Sequence, residues 1–326
     1  MRAFEYASAK SVQQAVSLLG PSWGDAEVLA GGSDLLALMK DDVVHPKRLV
    51  SIKEISELHS IRAAGGGLSI GALVTLAEVL DDSQVRQKYL ALWQAVDEAA
   101  SPQIRNVATL GGNLCQRPRC WFFRSGHGLL AQAPGGASLV LKGDNRYHAI
   151  LGNDGPAYFV SPSTVAPVLI AYDARVRLAG PKGERELPLE KFFRVPRADG
   201  EREHDLGPNE IVTEIALPSA EGTRSASYEV RQKEAFDWPY ATASAVLRMN
   251  GNTVQSARIV LGHVAPVPWV SREAAQAIIG KPLNDDTAAA AGQAAVAGAR
   301  PLSRNKYKVQ LTRVAVKRAL LAAARA

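Results

Sequence analysis

The sequence is poor in sulfur, with two cysteines and three methionines in 326 residues. Cys115 and Cys120 are too few for a disulfide framework, and too few for a four-thiolate metal centre built by this chain alone, so reduced thiols are expected. Long apolar runs are also missing. No stretch approaches the roughly 18 to 20 residues that span a bilayer. The opening MRAFEYASAKSVQQAV is polar without an h-region, so no export signal is expected in this chain. The formal charge of +6 is scattered and no aromatic-basic stripe appears, which argues against nucleic acid and for a solvated surface or an acidic protein partner. No Ser/His/Asp or Cys/His arrangement is discernible, so no substrate acid/base chemistry is expected.

What the chain does have is globular composition, 47% hydrophobic and 21% charged, at a length that suits two or three domains with real cores. The stretch Ser101 to Arg124, SPQIRNVATLGGNLCQRPRCWFFR, is its centre. Thr109-Leu110-Gly111-Gly112-Asn113 places two adjacent glycines where the backbone is expected to approach a ligand that a Cβ would repel. A second loop of this kind lies upstream at Leu29-Ala30-Gly31-Gly32-Ser33-Asp34-Leu35-Leu36, an apolar strand end running through Gly-Gly and a Ser/Asp cap into a helix. Free N–H groups at a helix start bind anions.

Around these loops the pattern reads as mixed α and β. A helix over Ser11 to Leu19, a strand Glu27–Ala30, a helix from Leu35 and a strand Leu49–Ile52 make a small α/β unit to about residue 55. Gly65-Gly66-Gly67 is a hairpin turn, since Ile70 stands where a dinucleotide fingerprint needs its last glycine. Helical patterns follow at Thr75 to Leu80 and Leu90 to Ala100. A strand at Tyr158 to Ser161, a helix over Ala166 to Ile170 and strands at Arg175 to Leu178 and Ile211 to Leu217 complete a region ending near residue 218. Beyond it, strands at Ser225 to Gln232, Ala243 to Met249 and Val254 to Gly262 precede helices at Ser271 to Ile279, Thr287 to Ala297 and Lys308 to Ala324. Domains are thus expected at 1–55, 56–218 with an insertion at about 117–156, and 219–326.

LAGGSDLLALMK, IGALVTLAE, ASPQIRNVATLGGNL, SPSTVAPVLIAYDARV, GHVAPVPWVSREAAQAI and PLSRNKYKVQL run nearly end to end, and with them the chain resembles the flavin-binding subunit of the molybdenum hydroxylases. This family includes carbon monoxide dehydrogenase and xanthine dehydrogenase, and NLCQRPRCWFFR with the following insertion looks like the aldehyde oxidoreductase and 4-hydroxybenzoyl-CoA reductase subunits. The resemblance implies an α+β fold: an FAD-binding domain of two α/β subdomains (PCMH-type) plus a C-terminal α+β cap with a three-stranded antiparallel sheet and helices.

It also implies FAD. Leu29, Ala30, Gly31, Gly32, Ser33, Asp34, Leu35 and Leu36 would wrap the diphosphate through backbone N–H groups, with no basic side chain beside it. Thr109, Gly111, Gly112 and Asn113 would form a second wall, with Ala99 ahead of them. Ser163 and Thr164 match a Ser-Asp pair that binds the adenosine portion, and Thr164 in place of the acid removes a charged acceptor. Lys233, or Arg231, stands where a cation lies near the flavin. Trp121, Phe122 and Phe123 are open to stacking or to burial, His127 and His148 to hydrogen bonding, and Asp237 and Trp238 to packing of the cap.

The implied complex adds a large molybdopterin subunit and a small [2Fe–2S] subunit, with electrons leaving FAD for an external acceptor. The competing expectation is a degenerate scaffold without flavin. Relatives with this insertion hold a [4Fe–4S] cluster on four cysteines; only Cys120 matches, so no such cluster is expected and the insertion reads as a flexible Gly-rich loop. A cytoplasmic location, or periplasmic export with a partner carrying the signal, completes the expectations.

Overall fold

The computed structural model describes residues 1–233 and 237–326; Ala235 and Phe236 of the AFDWPYA segment lie outside the described residues. Three sheets organise the chain. In the first, β1 (Glu5–Ser8), β3 (Arg48–Ser51) and β2 (Ala26–Leu29) run parallel in the order β1-β3-β2. The helix Val12–Leu18 between β1 and β2 starts where the Ser11 side chain accepts from the Gln14 backbone N–H and buries Val12 and Ala15. β1 escapes the sequence pattern because EYAS has no apolar face, and it is held by pairing with β3.

The second sheet has the order β4-β5-β8-β6-β7, all antiparallel: Ile61–Ala64, Gly67–Gly71, Ile211–Leu217, Arg175–Gly180 and Gly183–Pro188. Between β5 and β6 lie the helices Leu76–Asp81, with a complete Thr75/Glu78 capping box, and Leu90–Asp97, which buries Leu92 and Val96. The stretch from Tyr158 to Ser161 is an extended link rather than the expected strand; the Tyr158 carbonyl accepts from Ala149, and the Ser161 N–H donates to Ala265.

The third sheet joins β9 (Arg224–Val230), β10 (Ala241–Asn250) and β11 (Thr253–Gly262), as expected, and adds a fourth, two-residue edge strand, β12 (Trp269–Val270). Helices Asp285–Ala295 and Tyr307–Ala323 close it, burying Ala315, Ala319 and Leu320 against Ala245 and Leu247 of β10.

The insertion is only partly a surface loop. Gly126, Gly128, Gly135 and Gly136 adopt positive φ in exposed turns. Their flanks fold inward, because Phe123, Leu130, Ala157 and Phe159 have apolar surface to bury and do so against Leu38 and Cys120.

Candidate functional site

The first glycine loop leaves the C-terminal end of β2 and enters the helix Leu35–Lys40. Gly32 sits at φ +75, a region L side chains rarely adopt, and a Cβ on Gly31 would lie 1.8 Å from the Val107 carbonyl oxygen. These glycines are therefore required by the backbone itself and by the close approach of the two loops. Asp34 occupies the N-cap position without a side-chain cap bond, contrary to the expected Ser/Asp cap. Its carboxylate instead accepts from the Arg117 backbone N–H at 2.8 Å and from Arg124 at 2.8 Å, and it pairs with Arg119 at 3.2 Å. Leu36 N–H donates to the Gly32 carbonyl at 3.1 Å, and no side chain caps the remaining first-turn N–H groups of this helix.

The second loop is built differently. Thr109 Oγ1 accepts from the Gly112 N–H at 3.0 Å, Leu110 N–H donates to Val74 at 2.8 Å, and Gly111 N–H donates to Ala72 at 3.0 Å. Its donors are consumed in pinning the helix Leu110–Cys115 to the end of β5. A Cβ on Gly111 would meet the Ala72 Cβ at 2.8 Å, so Gly111 serves packing, whereas one on exposed Gly112 would meet only Thr109 Oγ1, at 2.9 Å. Ser163 Oγ donates to Asn113 Oδ1 at 2.8 Å and accepts from the Ala166 N–H at 3.1 Å, which fixes the Asn113 amide.

Both loops open on one cavity of about 510 Å³. Ala30, Gly31, Gly32, Ser33, Asp34 and Leu35 line it from one side, Thr109, Gly111, Gly112 and Asn113 from the other, and Ala99 and Thr164 complete the expected set. Four expected residues lie off the wall. Leu29 and Leu36 turn into a small core with Met39 and Leu49, Ser163 acts through Asn113, and Lys233 is exposed. Arg231, its alternative, pairs with Glu98.

The sequence reading missed the charges. Contrary to the expectation of no basic side chain, Arg117, Arg119 and Arg202 reach the wall. Arg117 pairs with buried Glu203, and Arg202 with Glu27 at 3.2 Å while lying 4.0 Å from the Trp23 ring centroid. Burial opposes the charged forms of Arg119 and Arg202, and the neighbouring carboxylates hold them charged. Glu229, also on the wall, is pushed up to about 8 by burial, and its Oε1 has no hydrogen-bond partner among the described residues. Asp237 and Trp238, read as packing residues, line the cavity too, with Trp238 beneath the Arg119 guanidinium at 4.5 Å.

Cys115 lines this cavity, and burial raises its thiol to about 12. Cys120 is buried beside His148, Sγ to Nε2 3.2 Å, while His127 is exposed. No group of three or more metal-ligating side chains converges among the described residues.

A cavity floored by glycine backbone at two places and walled by arginine–carboxylate pairs defines a cofactor-holding chain. Residues 2–220 match the FAD binding domain in molybdopterin dehydrogenase, and residues 226–323 match the CO dehydrogenase flavoprotein C-terminal domain. The chain belongs to the FAD-binding medium subunits of the molybdenum hydroxylase family. It is 33% identical over 325 residues to the carbon monoxide dehydrogenase medium chain of Hydrogenophaga pseudoflava, covering 98% of this chain and 96% of that one. It is 31% identical over 316 residues to the aldehyde oxidoreductase FAD-binding subunit PaoB of Escherichia coli K12, covering 96% of each. Among solved structures, a carbon monoxide dehydrogenase chain from Hydrogenophaga pseudoflava superposes with a TM-score of 0.76 at 31% identity, over 99% of this chain and 97% of that one. The carbon monoxide dehydrogenase chain is thus at least as similar as the aldehyde oxidoreductase subunit.

FAD is the cofactor of this family, and the residues present suit it. The uncapped first turn after Gly32 offers donors to a diphosphate, and exposed Gly112 leaves room for a flat ligand opposite. No helix of the described residues is long and apolar enough to cross a membrane.

Proposed function

We propose that this chain is the electron-transfer subunit of a molybdenum-containing hydroxylase, holding FAD along the main cavity. The observation that carries the reading is the convergence of two glycine loops, about 80 residues apart in sequence, on that one cavity. The backbone of Gly32, Ser33, Asp34 and Leu35 binds the diphosphate, and Arg117 and Arg119, fixed by Glu203 and Asp34, set a positive potential beside it. Gly112 and Asn113 form the opposite wall, and Ala99, Thr164, Trp238 and Pro239 line the rest of it. FAD supplies the redox chemistry that joins an iron–sulfur partner to an external acceptor.

In this reading the partners are a large molybdenum-cofactor subunit and a small [2Fe–2S] subunit. Native mass spectrometry of the protein isolated from its source cells tests it. A three-component complex with FAD, molybdenum and a two-iron cluster is expected, and a lone chain at endogenous levels contradicts it.

A further inference from the structure

Glu229 stands on the wall of the main cavity with its side chain 4% exposed, and no donor reaches its carboxyl among the described residues. Its Oε1 is sealed in protein without a hydrogen-bond partner, and Arg231 Nε stands 4.0 Å from Oε2, out of hydrogen-bond reach. Arg231 is committed elsewhere. It donates to the Glu98 carboxylate and, at 3.1 Å, to the Glu98 carbonyl. Directly across the β9–β10 ladder and on the same face, the Thr242 hydroxyl is likewise buried without a partner.

The charges around it give an ionised carboxylate little support. The three arginines on the cavity wall are each paired with a carboxylate, Arg117 with Glu203, Arg119 with Asp34 and Arg202 with Glu27, while Asp237 adds negative charge. Of the elements packed on β9, β10 sets uncharged Thr242 opposite, and the helix Leu90–Asp97 offers Gln94, which accepts from the Ser227 N–H. The helix Tyr307–Ala323 brings Arg318, which donates to the Tyr228 hydroxyl, and Lys317, which pairs with Asp285 at 2.7 Å. Burial alone pushes Glu229 up to about 8. His204, the histidine on the same wall, is lowered to about 4 by burial and stays neutral. An unpartnered buried acid weakens a fold, so packing does not account for Glu229.

We propose that Glu229 is the redox-linked proton site of this subunit, its carboxylate taking up one proton from water for each cofactor reduced in the main cavity. The inference rests on the FAD reading of that cavity. Electrons from the iron–sulfur partner add negative charge beside a wall whose arginines are already neutralised, and a buried carboxylate feels that charge strongly. One O–H bond forms on Glu229, its proton comes from solvent, the electrons stay on the cofactor, and reoxidation releases the proton again. Protons bonded to the cofactor itself are additional to this one. Below about pH 7 the carboxyl holds its proton in both redox states, and from about pH 8 upward reduction restores a proton that the oxidised protein has released.

The test uses the full chain loaded with FAD and titrated with dithionite and redox mediators across the pH range. The pH dependence of the flavin midpoint potential counts the protons taken up on reduction. Above about pH 8 the parent should take up one proton more than Glu229→Gln, which is isosteric and does not ionise, and below about pH 7 the two should agree. Reduced-minus-oxidised infrared spectra of the parent at about pH 9 should gain the carbonyl stretch of a protonated carboxyl, shifted in heavy water and absent in the variant. The infrared measurement on the parent decides the matter even where Glu229→Gln does not fold. Equal proton counts in parent and variant, or no carboxyl band in the parent, overturns the proposal while FAD remains bound. A parent that takes up no FAD overturns the reading of the main cavity and this proposal with it.

Discussion

The Arg124 guanidinium donates to Asp34 Oδ1 at 2.8 Å, closing a contact across 90 residues that ties the insertion to the first glycine loop. Because the same carboxylate also accepts from the Arg117 backbone, Asp34 acts as a staple where a capping residue was expected. Asp34→Asn should lower stability by about 1–3 kcal/mol, since it leaves the Arg119 and Arg124 guanidiniums without their carboxylate. It should also weaken FAD retention. Thermal melts and flavin content of the variant check both.

The glycines should separate by what their Cβ atoms meet. Gly31→Ala drives a methyl into the Val107 carbonyl and Gly111→Val into Ala72, so both should unfold the protein or lower its melting temperature strongly. Gly112→Val should fold and lose FAD, because only Thr109 Oγ1 stands in its way. Circular dichroism beside flavin absorbance distinguishes the two outcomes; a Gly112→Val protein with full flavin would place the ligand elsewhere.

Ser163 is expected to act through its neighbour. Ser163→Ala frees the Asn113 amide and should cost about 1 kcal/mol of stability and a several-fold loss of FAD affinity. Titration of apoprotein with FAD measures the second effect.

Glu229 carries a pH signature. Its folded value, raised to about 8 by burial, lies above the ordinary carboxylate value of 4.5, so its contribution is full below about 4.5 and is lost as pH rises through 8. Glu229→Gln, isosteric and neutral, should match the parent at pH 5 and exceed it at pH 8.5. Urea denaturation of the apoprotein at the two pH values checks this, and parallel curves would show that Glu229 is ionised in the fold.

Much of this was legible in the sequence. Strand, Gly-Gly turn and helix follow from apolar runs interrupted by residues that alone tolerate the turn, and the paired glycine loops pointed to the cavity. What stayed hidden was tertiary. Arg117 and Arg202 reach the wall because Glu203 and Glu27 hold them, 86 and 175 residues away in sequence. Nothing in the local pattern of SYEV marks Glu229 as buried, since a glutamate on a strand usually faces water. Gly111 lines the cavity and also packs against Ala72, a contact that no local pattern in ATLGGNL announces.

The central claim is that the main cavity holds FAD. The visible spectrum of the purified chain, with cofactor released by heat and quantified against protein, tests it most directly. Equimolar FAD with flavin absorption is the result expected, reduced to background in Gly112→Val. A colourless parent that takes up no FAD on titration would contradict the account.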